Sequence, residues 1–169
     1  MTRFVDTREG QLIMVDYADV CFSCGCTLHM DSLASVYFAC SGCNLIMPKI
    51  SKSMMEIAKL FFECGFRMIC ADSAVGKSGR VMVRILFTKK YGKEFFTELP
   101  YRFEYNNFYL GVEAESQLLL EAHPLDMHFA IGYTEGEEAE KAIISILHDW
   151  VSSIEPEACR ALLTLKGLL

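Results

Sequence analysis

Several things are missing from this chain, and each absence narrows its class. Nothing at its start resembles a secretory leader, because Met1-Thr-Arg-Phe-Val-Asp6 carries charge almost at once. No apolar run approaches the roughly 20 residues that a membrane-spanning helix needs. There is no internal repeat and no low-complexity tract, so neither a solenoid nor a long linker is expected. No Ser/His/Asp or Cys/His arrangement follows from spacing alone. An excess of positive charge is missing too: the formal net charge is -6, which argues against non-specific nucleic-acid binding by the chain as a whole. The expectation is a cytoplasmic protein without membrane contact.

What is present is an ordinary globular balance. Apolar residues make up 52%, aromatic residues 12% and charged residues 22% of 169 positions, enough for one sizeable core with a small satellite module. Charge is unevenly spread. Residues 51–105 hold ten Lys/Arg against six Asp/Glu, whereas residues 106–169 hold three against eleven. A basic middle and an acidic end can form faces of opposite sign, or simply solvated surfaces. Eight cysteines without a leader point to a reducing compartment, where paired thiols more often hold metal than disulfides.

Four of those cysteines form two Cys-x-x-Cys pairs, Cys21/Cys24 and Cys40/Cys43, with fifteen residues between the pairs. Two tight turns that each present two thiolates make a tetrahedral sulfur cage, which suits zinc. The spacing does not match ferredoxin-type cluster runs. Gly25 follows the first pair and Gly42 lies inside the second, where positive φ would let backbone N–H groups face sulfur. Cys26 stands near enough in sequence to replace Cys24, and His29 to compete for a place. The symmetric set Cys21, Cys24, Cys40 and Cys43 is favoured. With four protein ligands and no open position, the Zn2+ would be structural rather than catalytic.

This module, residues 19–47, resembles the zinc-ribbon superfamily. Cys21-Phe-Ser-Cys24-Gly25 matches its Cys-x-x-Cys-Gly knuckle, and Cys40-Ser-Gly-Cys43 matches less closely. A ribbon followed by a helix and a hairpin is also similar in layout to short proteins of Gram-positive bacteria and their phages. The resemblance implies a fold for the N-terminal quarter more than a function.

The remaining elements are read from periodicity. Gln11–Val15 reads as a short strand after a Glu9-Gly10 turn. Within the module, Leu28–Met30, Val36–Ala39 and Leu45–Met47 read as strands. Ser53 with Glu56 forms a capping box, and Ile57, Leu60, Phe61 and Cys64 make one apolar helical stripe stopped at Gly65. Phe66–Ala71 and Arg80–Thr88 read as a hairpin across a polar turn at 72–79. Phe95–Tyr105 and Phe108–Glu113 read as a second hairpin turned at Asn106-Asn107, with Pro100 limiting the first strand. Gln117–Ala122 fits strand or helix, and Met127–Tyr133 alternates as a strand. Thr134 with Glu137 caps a helix with Ile143, Ile146, Leu147, Trp150 and Val151 inside, and Pro156 opens a last helix with Cys159, Leu162 and Leu163 on one side.

The expected architecture is α+β: a small N-terminal zinc ribbon in residues 1–50, and an antiparallel sheet covered by helices in residues 51–169. Ala71-Asp-Ser-Ala-Val-Gly76-Lys77-Ser78 fits a relaxed phosphate-loop pattern, but a β-patterned run follows it where a helix is required. A glycine-bearing β-turn is therefore expected. His123 and His128 flank Asp126 and could serve a small enzyme, although turn or surface roles suit them better. Lys77, Arg80, Arg84, Lys89, Lys90, Lys93 and Arg102 are interleaved with aromatics, a pattern that can bind single-stranded nucleic acid and that a half-exposed sheet also shows. The function expected first is a non-enzymatic interaction protein, a regulator or inhibitor of a protein or protein–nucleic-acid machine, with a phage-encoded inhibitor as one case. A nucleic-acid-binding protein is the alternative.

Overall fold

The computed structural model describes residues 2–6, 12–29, 38–44, 46–107, 114–132 and 135–169. The fold is α+β. In chain order it runs β1 (Thr2–Asp6), β2 (Leu12–Asp16), β3 (Leu28–His29), β4 (Phe38–Cys40), β5 (Ile46–Met47), β6 (Lys49–Ile50), α1 (Met55–Glu63), β7 (Met68–Val75), β8 (Val81–Phe87), β9 (Glu104–Asn106), β10 (Ser116–Ala122), α2 (Pro124–Ile131), α3 (Gly136–Ser152) and α4 (Pro156–Leu165). The Glu9-Gly10 turn, the Phe108–Glu113 strand and the Thr134 cap lie outside the described residues, as do Gln11, Met30, Val36, Tyr37, Leu45 and Tyr133 within their expected strands.

Three sheets form. β1 and β2 pair as an antiparallel ribbon, β3-β4-β5 make a small sheet, and the large sheet has the order β6-β7-β8-β10-β9. Its pairs are antiparallel except at the edge, where β6 runs parallel to β7. Strand alternation gives the large sheet two different faces. Val81, Val83, Ile85 and Phe87 of β8, with Leu118, Leu120 and Ala122 of β10, join the core built by α1, α3 and α4 through Ile57, Phe61, Ile143, Leu147, Val151 and Leu163. The opposite face offers Ala74, Met82 and Leu119, which pack with Val15, Tyr17, Leu28, Phe38 and Met47. Leu28, Phe38 and Met47 thus place most of the cysteine module on the face of the sheet opposite those helices, while Phe22 also reaches the helix-side core. The Ala18 N–H donates to the Ile50 carbonyl at 2.8 Å, tying the module's entry to the sheet edge.

Four expectations change. α1 lacks its capping box: a 3-10 turn at Lys52–Met54 precedes it and no side chain caps its start. The Ser51 hydroxyl is committed elsewhere, accepting the Ser73 N–H of β7 at 3.0 Å. β7 continues to Val75, so the polar turn shrinks to 76–79, where Gly76 N–H donates to the Arg80 carbonyl. That strand–turn–strand path is the expected β-turn. Residues 95–103 do not form a strand, because Glu98 and Arg102 take left-handed φ of 52° and 65°. Phe95, Phe96 and Phe103 are buried there, and only Glu104–Asn106 extends, pairing with β10.

The fourth change is α2, expected as a strand. Pro124 suits a first helical turn, and the Leu125 N–H donates to His123 Nδ1 at 3.2 Å, a cap made by histidine. Met127 and Ile131 are spaced i, i+4, which alternation and a helix face both satisfy, so a short run does not distinguish them. The two last helices follow expectation. Ile143, Leu147 and Val151 are buried on α3, while Ile146 is 38% exposed, and Pro156 opens α4.

Asp72 is a buried carboxylate on the face of the sheet that carries Ala74. It is fully buried, and a cross-strand ion pair at 2.5 Å joins it to Arg84, whose side chain is 14% exposed. A buried carboxylate without such a partner would be strongly unfavourable. Tyr17 packs on the same spot, where burial, and then the Asp72 carboxylate it hydrogen-bonds, push its hydroxyl well above the usual tyrosine range. Among the described residues, no helix is long and apolar enough to cross a membrane.

Candidate metal centre

The sulfurs of Cys21, Cys24, Cys40 and Cys43 all lie within 4.8 Å of one another. Cys24 and Cys40 sulfurs are 3.4 Å apart, and those of Cys21 and Cys43 are 3.9 Å apart. These separations are far beyond a disulfide bond of about 2.05 Å. They bracket the edge of about 3.8 Å that a tetrahedron of sulfurs takes around a metal at ~2.3 Å. The four cysteines can therefore hold a metal ion, and an all-sulfur tetrahedral donor set is one that zinc fits.

Local backbone makes this convergence. In the first knuckle the Gly25 N–H donates to the Cys21 carbonyl at 2.8 Å, and in the second the Asn44 N–H donates to the Cys40 carbonyl at 2.9 Å. The residue after each pair is left-handed, Gly25 at φ 74° and Asn44 at φ 55°. The knuckles are thus equivalent, with asparagine in the role that glycine plays in the first. Asparagine tolerates this region better than other side chains, and that was the signal available in the sequence. Gly42 is not left-handed. Its requirement is space: a side chain there would collide with Cys26, whose Cβ would lie 2.9 Å away, and would crowd the Cys24 sulfur at 3.2 Å.

The electrostatics suit bound metal. The backbone N–H of Cys43, helped by the Cys24 thiol and the Gly42 N–H, draws the Cys40 thiol down to about 6. A thiol so favoured as thiolate binds metal with less competition from protons. Cys21 and Cys40 are buried against the sheet, Cys43 is half-buried and Cys24 is exposed. Phe22, between the first two ligands, meets Phe62 of α1 edge-on at 5.3 Å, so the first knuckle is also fixed to the helix. Cys26 and His29 are exposed and stand outside the converging set.

The other candidate residues scatter. His123 Nε2 lies 2.9 Å from the Ser78 carbonyl while its Nδ1 accepts the Leu125 N–H, so the imidazole ties the 76–79 turn to α2. Asp126 is exposed in the first turn of α2, and the His128 side chain lies outside the described residues. Of the basic residues, Arg84 is spent on Asp72, and Lys89 Nζ donates to the Leu168 carbonyl at 2.8 Å. Arg80 is partly buried; Lys77, Lys90 and Lys93 are exposed, as is Arg102, whose guanidinium lies 6.0 Å from the Tyr101 ring centre. No family model, no curated protein and no solved structure matches this chain, so its reading rests on its own residues.

Proposed function

We propose that this is a non-enzymatic, zinc-containing interaction protein whose metal is structural and whose working surfaces engage a protein partner. One observation carries the reading: four cysteine sulfurs lie within 4.8 Å of one another, and a metal held by all four would keep no open position for substrate or activated water. Bound zinc would supply cross-linking of the two knuckles and charge neutralisation of the thiolates. The residues it would order, Leu28, Phe38 and Met47, pack against Met82 and Leu119, so metal binding would support the covered face of the main sheet. His123, the residue best suited to general acid–base chemistry by type, is engaged in capping and turn contacts.

The test is to purify the tagged 169-residue chain from a cytoplasmic lysate with and without nuclease, and to measure its metal. One zinc per chain with a stoichiometric, nuclease-resistant protein partner supports the reading. Capture that disappears with nuclease moves the function to nucleic-acid binding, and a metal-free folded chain removes the structural premise.

A further inference from the structure

Away from the cysteines, a cleft of about 360 Å3 opens where the 94–98 segment faces the junction of α3 and α4. Its size is at the bottom of the ~300–1,000 Å3 range of small-molecule sites, which suits one or two side chains better than a cofactor. Its apolar lining includes Phe95, Trp150 and Leu162, and its rim carries Glu94, Glu98 and Glu155, with no lysine or arginine among the lining residues. Glu94 is held by Lys166. Glu98 and Glu155 have no ion pair among the described residues.

One further feature favours a cation there. Trp150 is held in place: its indole N–H donates to the Thr97 carbonyl at 3.2 Å, and its ring stacks on Phe96 with an interplanar angle of 20°. A fixed indole beside carboxylates accepts a guanidinium or ammonium by cation–π contact while the carboxylates take its hydrogen bonds.

We infer that the α3–α4 cleft is a docking site for an arginine- or lysine-bearing peptide segment of a protein partner, with the cation over Trp150 between Glu98 and Glu155 and its apolar neighbours on Phe95 and Leu162. This rests on the interaction-protein reading and names the surface through which it acts. A nucleic-acid backbone is the wrong ligand for this rim, because phosphate would meet the Glu98 and Glu155 carboxylates, while the Lys166 ammonium is engaged by Glu94.

Trp150 is the only tryptophan in the chain, so its emission reports the cleft directly. The zinc-loaded full chain is titrated with a hexapeptide alternating leucine and arginine, and with the same peptide carrying glutamate for arginine. The expected result is a saturable shift of Trp150 emission with the arginine peptide alone, weakened at least tenfold by the double change Glu98→Gln and Glu155→Gln. The changes Glu137→Gln and Glu138→Gln, on the other end of α3, should alter affinity by less than twofold. An unmoved emission, equal binding of the glutamate peptide, or equal weakening by both double variants would overturn the assignment. Metal content of the same sample is read separately, so loss of the zinc premise is not confused with loss of the docking site.

Discussion

Cys26 and Gly42 fit together as side chain and space: the Cys26 Cβ stands 2.9 Å from the point where a side chain on Gly42 would begin. The second knuckle has given up a side chain to admit a cysteine that is not itself one of the four converging ligands. Gly42→Ala should therefore force the two knuckles apart. The expected loss is about 1–3 kcal/mol of stability, the usual cost of overpacking, together with weaker metal retention. Cys26→Gly should restore most of both. Denaturant titration and chelator competition on the single and double variants measure this. Gly42→Ala with unchanged metal retention would remove the argument.

Replacing ligands should separate the four cysteines from the fifth. Cys21→Ser or Cys40→Ser should abolish stoichiometric metal, because both thiols are buried at the base of the set, whereas Cys26→Ser should retain one metal per chain. Acidification should also release it. Cys40 titrates near 6 in the fold, below the ordinary cysteine value of about 8.5. Its contribution to the metal-free fold is therefore present above that ordinary value and lost as pH falls through about 6; bound metal competes with protons for the same thiolates, so its release is expected below that pH. A metallochromic dye added across that range reads the release.

Arg84 tests whether the basic residues serve the fold or a ligand. Asp72 is fully buried and Arg84 closes on it at 2.5 Å, so Arg84→Ala leaves a buried carboxylate behind. The expected cost is roughly 3–5 kcal/mol. The double change Asp72→Asn with Arg84→Met should cost less than the single change. Lys90→Ala, at an exposed position, should be within about 0.5 kcal/mol of the parent. Thermal unfolding distinguishes these outcomes.

Tyr17 predicts an alkaline limit. Burial, and secondarily Asp72, raise its hydroxyl above the ordinary value, and burial likewise raises Tyr91. A neutral group whose pKa is raised in the fold stabilises below its unfolded value, about 10 for tyrosine. That contribution falls as pH rises beyond it, because the unfolded chain then binds fewer protons. Stability should decline above about pH 10, and Tyr17→Phe should flatten the decline while lowering stability near neutrality. A profile equally steep in the variant would contradict this.

The metal set was legible because its signal is a spacing of rare, chemically committed residues, and the convergence of Cys21, Cys24, Cys40 and Cys43 needs only two turns. α3, α4 and the β7–β8 hairpin were legible because their apolar periods are long or alternate cleanly. Residues 95–103 misled because buried aromatics pattern like a strand, whereas Glu98 and Arg102 turn the chain left-handed and Phe95, Phe96 and Phe103 are buried without strand pairing. Met127 and Ile131 misled because i, i+4 spacing fits both periods. Ser53 misled because Ser51, two residues earlier, is drawn to β7 and a 3-10 turn intervenes. The cleft at Trp150 was not legible at all, since Glu94, Glu98 and Glu155 meet only through the packing of the 94–98 segment on α3 and α4.

X-ray absorption at the zinc edge on the purified full chain addresses the central claim most directly. The expected result is one zinc per chain in a single shell of four sulfurs at about 2.3 Å, unchanged by Cys26→Ser. A metal-free folded chain, or a shell containing nitrogen or oxygen, would contradict it.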